Sequence, residues 1–502
     1  MKAFAITTLG CKVNQYEGQQ IRQLLEQLGL TQVQTTERPE LVVINTCCVT
    51  GSASAKSRQY IRRAQKLSPD AVIVVSGCLA TVQIGELSYS GKHVHLIRQR
   101  EATAAILAEI VKGEAMGPNL GNTQTEQYVK RAHHTSKMRP NNDLGNPSEL
   151  AQLESFKGHT GAFQPNFRTI QSDQYFRRAK NGPKVRLNNE LRNPAKLPQL
   201  TSFKGHTRAF LKVQDGCDGY CSYCIIPQAR PNVHSKAGGA VLQEAEALVK
   251  AGHKEIVVTG VFLGAYGQES VRRKTWANEQ NDDLADLLDE MARIPGLARI
   301  RLSSLEPGDV TERLVDSFCR HRNIMPHLHL SLQSGSDAVL RRMGRQYSVG
   351  KFLRAVELAK SRLDRPAITA DVIVGFPGER EEDFEATVGL AREVGFAKMH
   401  VFGFSARPGT AAAEMQGVVN NRVIKRRSEV LRDLDAELGR RFREGFIGEE
   451  SEILLENGGL KGRSERYFMV FVRKTGIKKL RQGELVRVRL VENREDGVVG
   501  ES

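Results

Sequence analysis

Three thiols within one short run, Cys217, Cys221 and Cys224 in Cys-Asp-Gly-Tyr-Cys-Ser-Tyr-Cys, are the densest group of reactive side chains in this sequence. Soft thiolates at such spacing suit zinc or an iron-sulfur cluster. A structural zinc ion asks for four protein ligands, and no fourth Cys or His lies within the motif. A 4Fe-4S cluster on three thiolates instead keeps one iron open, where chemistry on a bound small molecule becomes possible. A second set, Cys11, Cys47 and Cys78, is scattered, but each member follows an apolar run: Phe4 to Leu9, Leu41 to Asn45 and Ala71 to Ser76. In an open parallel sheet the carboxyl ends of the strands share one edge, so these thiols are expected to converge on a second cluster. The plain alternative is three unrelated buried cysteines, a common fate of Cys. Cys48 and Cys319 are assigned to that plain class, because neighbours at a strand end point in different directions and Cys47 and Cys48 are not expected to ligate together.

The elements that must position these thiols are legible from periodicity. Short continuous apolar runs alternate with helical stretches over the first hundred residues, as in an open α/β domain, with Asn14 expected to cap a helix carrying Ile21, Leu24, Leu25 and Leu28. Residues 210 to about 410 supply six strand candidates: Phe210 to Val213, Glu255 to Thr259, Arg299 to Ser303, His327 to Leu332, Ile368 to Val374 and Met399 to Phe404. Helical stretches such as Ala240 to Ala251 and Val349 to Ser361 separate them, which implies a parallel β/α barrel, complete or partial, with Cys217 just past its first strand where such folds place active sites. A basic helical segment, Asn421 to Arg443, precedes three strand candidates that fit a small β-barrel. Between the first two regions lies a polar stretch rich in Asn, Gln, Pro, Arg and His, expected to be flexible, in which Ser155 to Thr160 is repeated as Ser202 to Thr207. The expected organisation is therefore 1–113, 114–201, 202–436 and 437–502, and the fold class is α/β with a central partial (β/α)6 barrel and a small C-terminal barrel.

Composition narrows the function classes. Eight cysteines in 502 residues, after an N-terminus that reads as a strand rather than a signal peptide, point to metal or redox chemistry in the cytoplasm and not to a disulfide framework. No run approaches a membrane span. A formal net charge of +16 favours a polyanionic partner such as nucleic acid.

Taken together, the motifs resemble the radical-SAM methylthiotransferases over nearly the whole chain outside the polar stretch. Thr8 to Glu17, Asn45-Thr46-Cys47 and Gly77-Cys78-Leu79-Ala80 look like that family's N-terminal cluster domain; Cys217 to Cys224, Leu330 to Ser336, Asp371 to Glu379 and Ser405 to Thr410 look like its barrel. The tail is similar to its RNA-binding TRAM domain. The resemblance implies two 4Fe-4S clusters and S-adenosylmethionine (SAM), one SAM cleaved reductively to a 5'-deoxyadenosyl radical and another donating a methyl group. It also implies an outside electron donor and sulfur source. It makes Cys217, Cys221 and Cys224 catalytic and places Tyr223, Gln333 and Gly375 around SAM; barrel packing is the other reading of those three. Gly-Cys-Lys-Val-Asn-Gln-Tyr-Glu most resembles the branch that modifies carbon 2 of N6-threonylcarbamoyladenosine at position 37, in the tRNA anticodon loop, where unpaired bases can be presented to a pocket. The alternatives are the isopentenyladenosine or ribosomal-protein branches, or a non-catalytic iron-sulfur RNA-binding protein, which would have no use for an open iron. Arg230 is expected either to face substrate or to be solvated. Pro231 and His234-Ser235 depart from the family pattern of Gly and Arg-Ser, and Pro fixes φ where Gly is permissive.

Overall fold

The computed structural model describes residues 1–82, 93–113, 196–277, 281–473 and 480–502. Most of the expected polar stretch, with the first copy of its repeat, lies outside them. Residues 1–107 and 195–502 form one compact unit. Its N-terminal layer is a parallel sheet in the order β2-β1-β3-β4-β5, made of β1 (Ala3–Thr8), β2 (Thr31–Gln32), β3 (Leu41–Thr46), β4 (Val72–Gly77) and β5 (Val94–Leu96). Helices α1 (Lys12–Gln27), α2 (Gly51–Leu67) and α3 (Cys78–Val82) connect the strands. Every residue of β3 is buried, which explains its unbroken apolar run.

The central layer carries the six expected strands in two sheets. One has the order β7-β6-β8-β9, from β6 (Ala209–Asp215), β7 (His234–Ser235), β8 (Glu255–Gly260) and β9 (Arg299–Leu302). The other runs β10-β11-β12-β13, from β10 (Ser304–Leu305), β11 (His327–Gln333), β12 (Ala367–Val374) and β13 (Lys398–Gly403). β9 and β10 are separated only by Ser303, and β6, β8 and β9 are parallel, as are β10 to β13, so the layer is an open (β/α)6 barrel. Alternation sorts its faces: Leu328, Leu330, Leu332, Ile368, Ala370 and Val372 join the core beneath the outer helices, while His327, His329, Thr369 and Asp371 take the opposite, lumenal face. Despite Pro231 and His234, the pair His234–Ser235 still zips onto Asp215 and Gln214.

The second copy of the repeat packs instead of dangling: Phe203 is buried, edge-on to Phe210 at 5.3 Å, and Leu200 just before it is fully buried. A long helix, Asn421–Glu444, leads into a closed barrel in the order β14-β15-β16-β18-β17. Its strands are β14 (Glu450–Glu456), β15 (Lys461–Arg463), β16 (Met469–Arg473), β17 (Leu485–Arg494) and β18 (Gly497–Glu501). No helix among the described residues is long and apolar enough to cross a membrane.

The small barrel stops the amino end of the large one. Arg301 is almost completely buried; its Nε donates to Glu255 at 2.9 Å, and its terminal nitrogens donate to the carbonyls of Glu465 (2.8 Å) and Ser464 (2.6 Å). Arg299 donates to the carbonyl of Arg463 at 3.0 Å. Tyr467, at φ 71°, stacks on His327 with centroids 4.6 Å apart and accepts a hydrogen bond from Arg208 at 3.1 Å. Removing one partner of a buried ion pair leaves the other charge stranded. Arg301→Ala should therefore destabilise the fold by about 3 kcal/mol, the low end of the usual range, because Arg299 and Arg208 stay within 3.8 and 4.0 Å of Glu255. Urea unfolding of the variant beside the parent chain checks this.

Candidate active site: two cysteine triads and the arginine between them

Adjacent strand ends bring the scattered cysteines together. β1, β3 and β4 are neighbours in register, with Thr8 opposite Asn45 and Asn45 opposite Ser76, so Cys11, Cys47 and Cys78 leave the same edge. Two glycines make the convergence possible. Gly10 has φ 96°, and a Cβ there would meet the Cys47 Cβ and Sγ at 2.6 and 2.7 Å; Gly77 has φ 87°, and a Cβ would meet the Thr46 carbonyl at 2.4 Å. The thiols feel one another electrostatically: burial raises Cys47 to about 11, with Cys78 and Cys11 adding to the effect.

Asn14 is not the helix cap. Cys11 takes that position, and Asn14 is buried one turn inside, where its Nδ2 donates to the carbonyls of Leu9 (2.9 Å) and Thr46 (2.8 Å) and its Oδ1 lies 4.0 Å from the Cys78 sulfur. A short amide that reaches two strand ends at once is worth more as a staple than at a cap. Cys48 is buried as expected but not isolated, since its thiol hydrogen-bonds that of Cys78. That bond first, and then Arg230 against the cost of burial, holds Cys78 below the usual thiol range. Cys319 departs from the expectation: it is exposed, its sulfur 3.6 Å from the Arg362 carbonyl.

The other triad follows β6. Gly216 turns the chain at φ 81°, and a Cβ there would sit 1.8 Å from the Asn232 carbonyl. The loop is then pinned from several sides: Cys217 N–H donates to the Arg230 carbonyl (2.8 Å), Ser222 N–H to the Met343 carbonyl (2.9 Å) and Cys224 N–H to the Cys221 carbonyl (3.0 Å). Gly219 N–H points at the Cys217 sulfur at 3.4 Å, and the Arg345 guanidinium donates to the Cys221 sulfur at 3.0 Å. Burial raises Cys217 and Cys224 to about 12.

The three sulfurs line a cavity of about 140 Å³ with Phe262, Leu305, Glu306, Asp309 and Arg345 among the other walls. Glu306 accepts from Arg345 at 2.7 Å through Oε1; its buried Oε2 makes no hydrogen bond but is ion-paired with Arg273 Nε at 3.7 Å. A buried carboxylate oxygen that lacks a hydrogen bond, beside three thiols, suits a ligand that brings its own ammonium group, as an amino-acid-derived sulfonium cofactor does. Glu306 and Arg345 escaped sequence reasoning; their only signal was position, at the carboxyl ends of barrel strands or in the loops that follow. Tyr223 packs edge-on to Phe376, centroids 6.3 Å apart, with its hydroxyl 3.5 Å from Arg345. Gln333 ends β11 at φ 64°, and Gly375 follows β12 at φ 77° with its N–H on Glu379 at 2.6 Å. None of these three lines the cavity itself.

Arg230 is neither solvated nor facing substrate. It is 3% exposed, and its guanidinium donates to Asn14 (2.9 Å), to both Glu17 oxygens (2.9 and 2.8 Å) and to Asp215 (2.8 Å). Lys212 reaches Glu17 at 2.8 Å and Asp215 at 2.6 Å, and Arg100 pairs with the same two carboxylates. Three cations thus enclose two anions, leaving one positive charge beside the thiols of Cys11 and Cys78. Burial works against ionising Glu17 and Asp215, but the surrounding cations overcome it and hold both carboxyls well below their usual range.

A family model described as Uncharacterized protein family UPF0004 matches residues 3–98, and that of the Radical SAM superfamily matches residues 211–391. The chain is 33% identical to the threonylcarbamoyladenosine tRNA methylthiotransferase MtaB of Chlamydia pneumoniae, over 99% of this chain and 97% of that one. It is 31% identical to the protein of the same name from Thermotoga maritima, over 99% and 96%. A tRNA-2-methylthio-N(6)-dimethylallyladenosine synthase from Cereibacter sphaeroides is 30% identical over 99% and 97%.

Depressed carboxyl pKa values stabilise the fold above the unfolded carboxyl pKa, near 4, and that stabilisation disappears as pH falls toward the folded values. The melting temperature of the cluster-free chain should accordingly drop steeply below about pH 4. Arg230→Met should lose about 3–5 kcal/mol at neutral pH and show a shallower acid limb. Calorimetry between neutral and acid pH reads both.

Proposed function

The chain belongs to the radical-SAM methylthiotransferases, and from that premise we propose that it attaches a methylthio group to carbon 2 of N6-threonylcarbamoyladenosine at position 37 of tRNA. The full-length match to relatives of that name carries this reading. It is supported by a fold in which one residue, Arg230, touches both cysteine triads, giving its carbonyl to Cys217 and its guanidinium to the surroundings of Cys11 and Cys78.

SAM and 4Fe-4S clusters are the cofactors of this enzyme. We assign Cys217, Cys221 and Cys224 as ligands of the catalytic cluster and Cys11, Cys47 and Cys78 as ligands of the auxiliary one. When bound with SAM, the first supplies the electron that splits the sulfonium to a carbon radical. The protein's own part is positioning and electrostatics. Arg345 and the Gly219 N–H direct positive dipoles at two of the sulfurs, and Glu306 offers an ammonium group the oxygen that makes no hydrogen bond within the protein. Phe262, Leu305 and Val271 line the same cavity and keep water from a reactive radical. The surplus positive charge around Arg230 offsets negative thiolates at the auxiliary site. Tyr223, Gln333 and Gly375, on the cluster loop and at the ends of β11 and β12, lie outside the cavity lining and are assigned to supporting the SAM site, Tyr223 through its contact with Arg345.

Residues 1–113, 202–436 and 437–502 are read as the auxiliary-cluster, radical and RNA-binding portions. For the RNA, α2 offers Lys56, Arg62, Arg63 and Lys66, with no acidic residue in the helix and, among the described residues, no ion pair to any of these four. Electrons and sulfur come from outside the chain, and the setting is the cytoplasm.

Anaerobically reconstituted protein should hold about eight irons per chain, and the Cys217→Ala, Cys221→Ala, Cys224→Ala triple variant about four. Only the parent should release 5'-deoxyadenosine with SAM and dithionite, and mass spectrometry of nucleosides from treated tRNA should show a methylthio adduct on threonylcarbamoyladenosine. Undiminished SAM cleavage in the triple variant would sink the ligand assignment; product on isopentenyladenosine alone would move the enzyme to the other branch.

A further inference from the structure

The lumenal face of the large barrel holds polar side chains that the reading above does not use. His329, Asp371 and His400 come from three neighbouring strands, and their ligand-capable atoms lie within 4.8 Å of one another. His329 Nε2 is 3.3 Å from Asp371 Oδ2, while its Nδ1 is fixed at 2.9 Å from Thr369 Oγ1. Burial would raise Asp371, but its histidine neighbours and Lys12 reverse this, so the carboxylate is anionic.

Lys12 comes from another part of the fold, the first residue of α1 beside Cys11. It stands near enough to Asp371, His327 and Tyr467 to act on all three electrostatically. Yet it is half-buried and forms no ion pair or hydrogen bond through its ammonium among the described residues. An ammonium brought to a lumen next to an auxiliary-site cysteine, without a hydrogen bond or ion pair of its own among the described residues, is able to take an anionic ligand.

On the substrate reading given above, we propose that Lys12 binds the carboxylate of the threonylcarbamoyl group, with Asp371 accepting from that group's N–H or hydroxyl donors. This substituent carries one anionic group, its carboxylate, and apart from it the N–H and hydroxyl groups that can donate. An ammonium and a carboxylate on opposite structural layers match that polarity, whereas a neutral hydrocarbon substituent would leave both unsatisfied. The same contact places the modified base beside Cys11. Lys12 is in these terms a specificity-determining residue, separate from cluster ligation and SAM cleavage.

The test is a binding titration that does not depend on turnover. Fluorescently labelled anticodon stem-loops are prepared with the threonylcarbamoyl carboxylate free or as its methyl ester, and titrated with reconstituted parent, Lys12→Met and Lys12→Arg proteins. The parent should favour the free carboxylate by about tenfold to a hundredfold, the usual worth of a hydrogen bond to a charged group. Lys12→Met should lose that preference while binding the ester as the parent does, and Lys12→Arg should restore most of it. Equal iron content and equal SAM cleavage in all three proteins show that the neighbouring cluster is intact. A parent with no preference, or a Met variant that keeps it, overturns the assignment of Lys12. Preference without methylthio product overturns the proposed reaction and leaves the carboxylate site standing.

Discussion

The structure depends on the burial of Arg230. Its side chain is committed to Glu17 and Asn14 of the N-terminal layer and Asp215 of the barrel, and its carbonyl is committed to the loop that begins with Cys217. Removing so much charge from water is tolerable because every nitrogen that enters the site meets an oxygen. The consequence is geometric. Two sheets that could otherwise pack at many angles are fixed at the one angle where five charged side chains interlock, and the two cysteine triads inherit their separation from it.

Much of the architecture could be read from the residues because burial writes itself into strands. Leu41 to Thr46 and Ile368 to Val374 are apolar on both faces or on one, and their limits fell within a residue or two of expectation. The cysteines were equally legible, since nothing but position at three neighbouring strand ends was needed to bring Cys11, Cys47 and Cys78 together. What stayed hidden was polar and long-range. Arginine is ordinarily a surface residue, so nothing in Ala229-Arg230-Pro231 announces that Arg230 is buried; its partners lie far away along the chain. Asn14 carries every local sign of a cap and serves instead as a staple between strand ends. Arg299 and Arg301 carry no local sign that they are buried against the small C-terminal barrel.

Both triads also show how much of the placement of their thiols is done by backbone. Gly10, Gly77 and Gly216 hold conformations that other residues adopt only with strain, and each lies directly before a cysteine. The thiols are accordingly set by turns, while the charged side chains around them adjust electrostatics. Such a division explains why the cysteine spacing is recognisable in sequence and the electrostatic shell is not.

The corner from Arg463 to Tyr467 has a further consequence. By filling the amino end of the large barrel and stacking on His327, it makes the small barrel part of the same rigid frame. A nucleic acid resting on that small barrel would be held at a set distance from the opposite, cysteine-bearing end. The reach from the small barrel to the cysteine-bearing end is thus built into the frame, as in a gauge, and is not left to a linker.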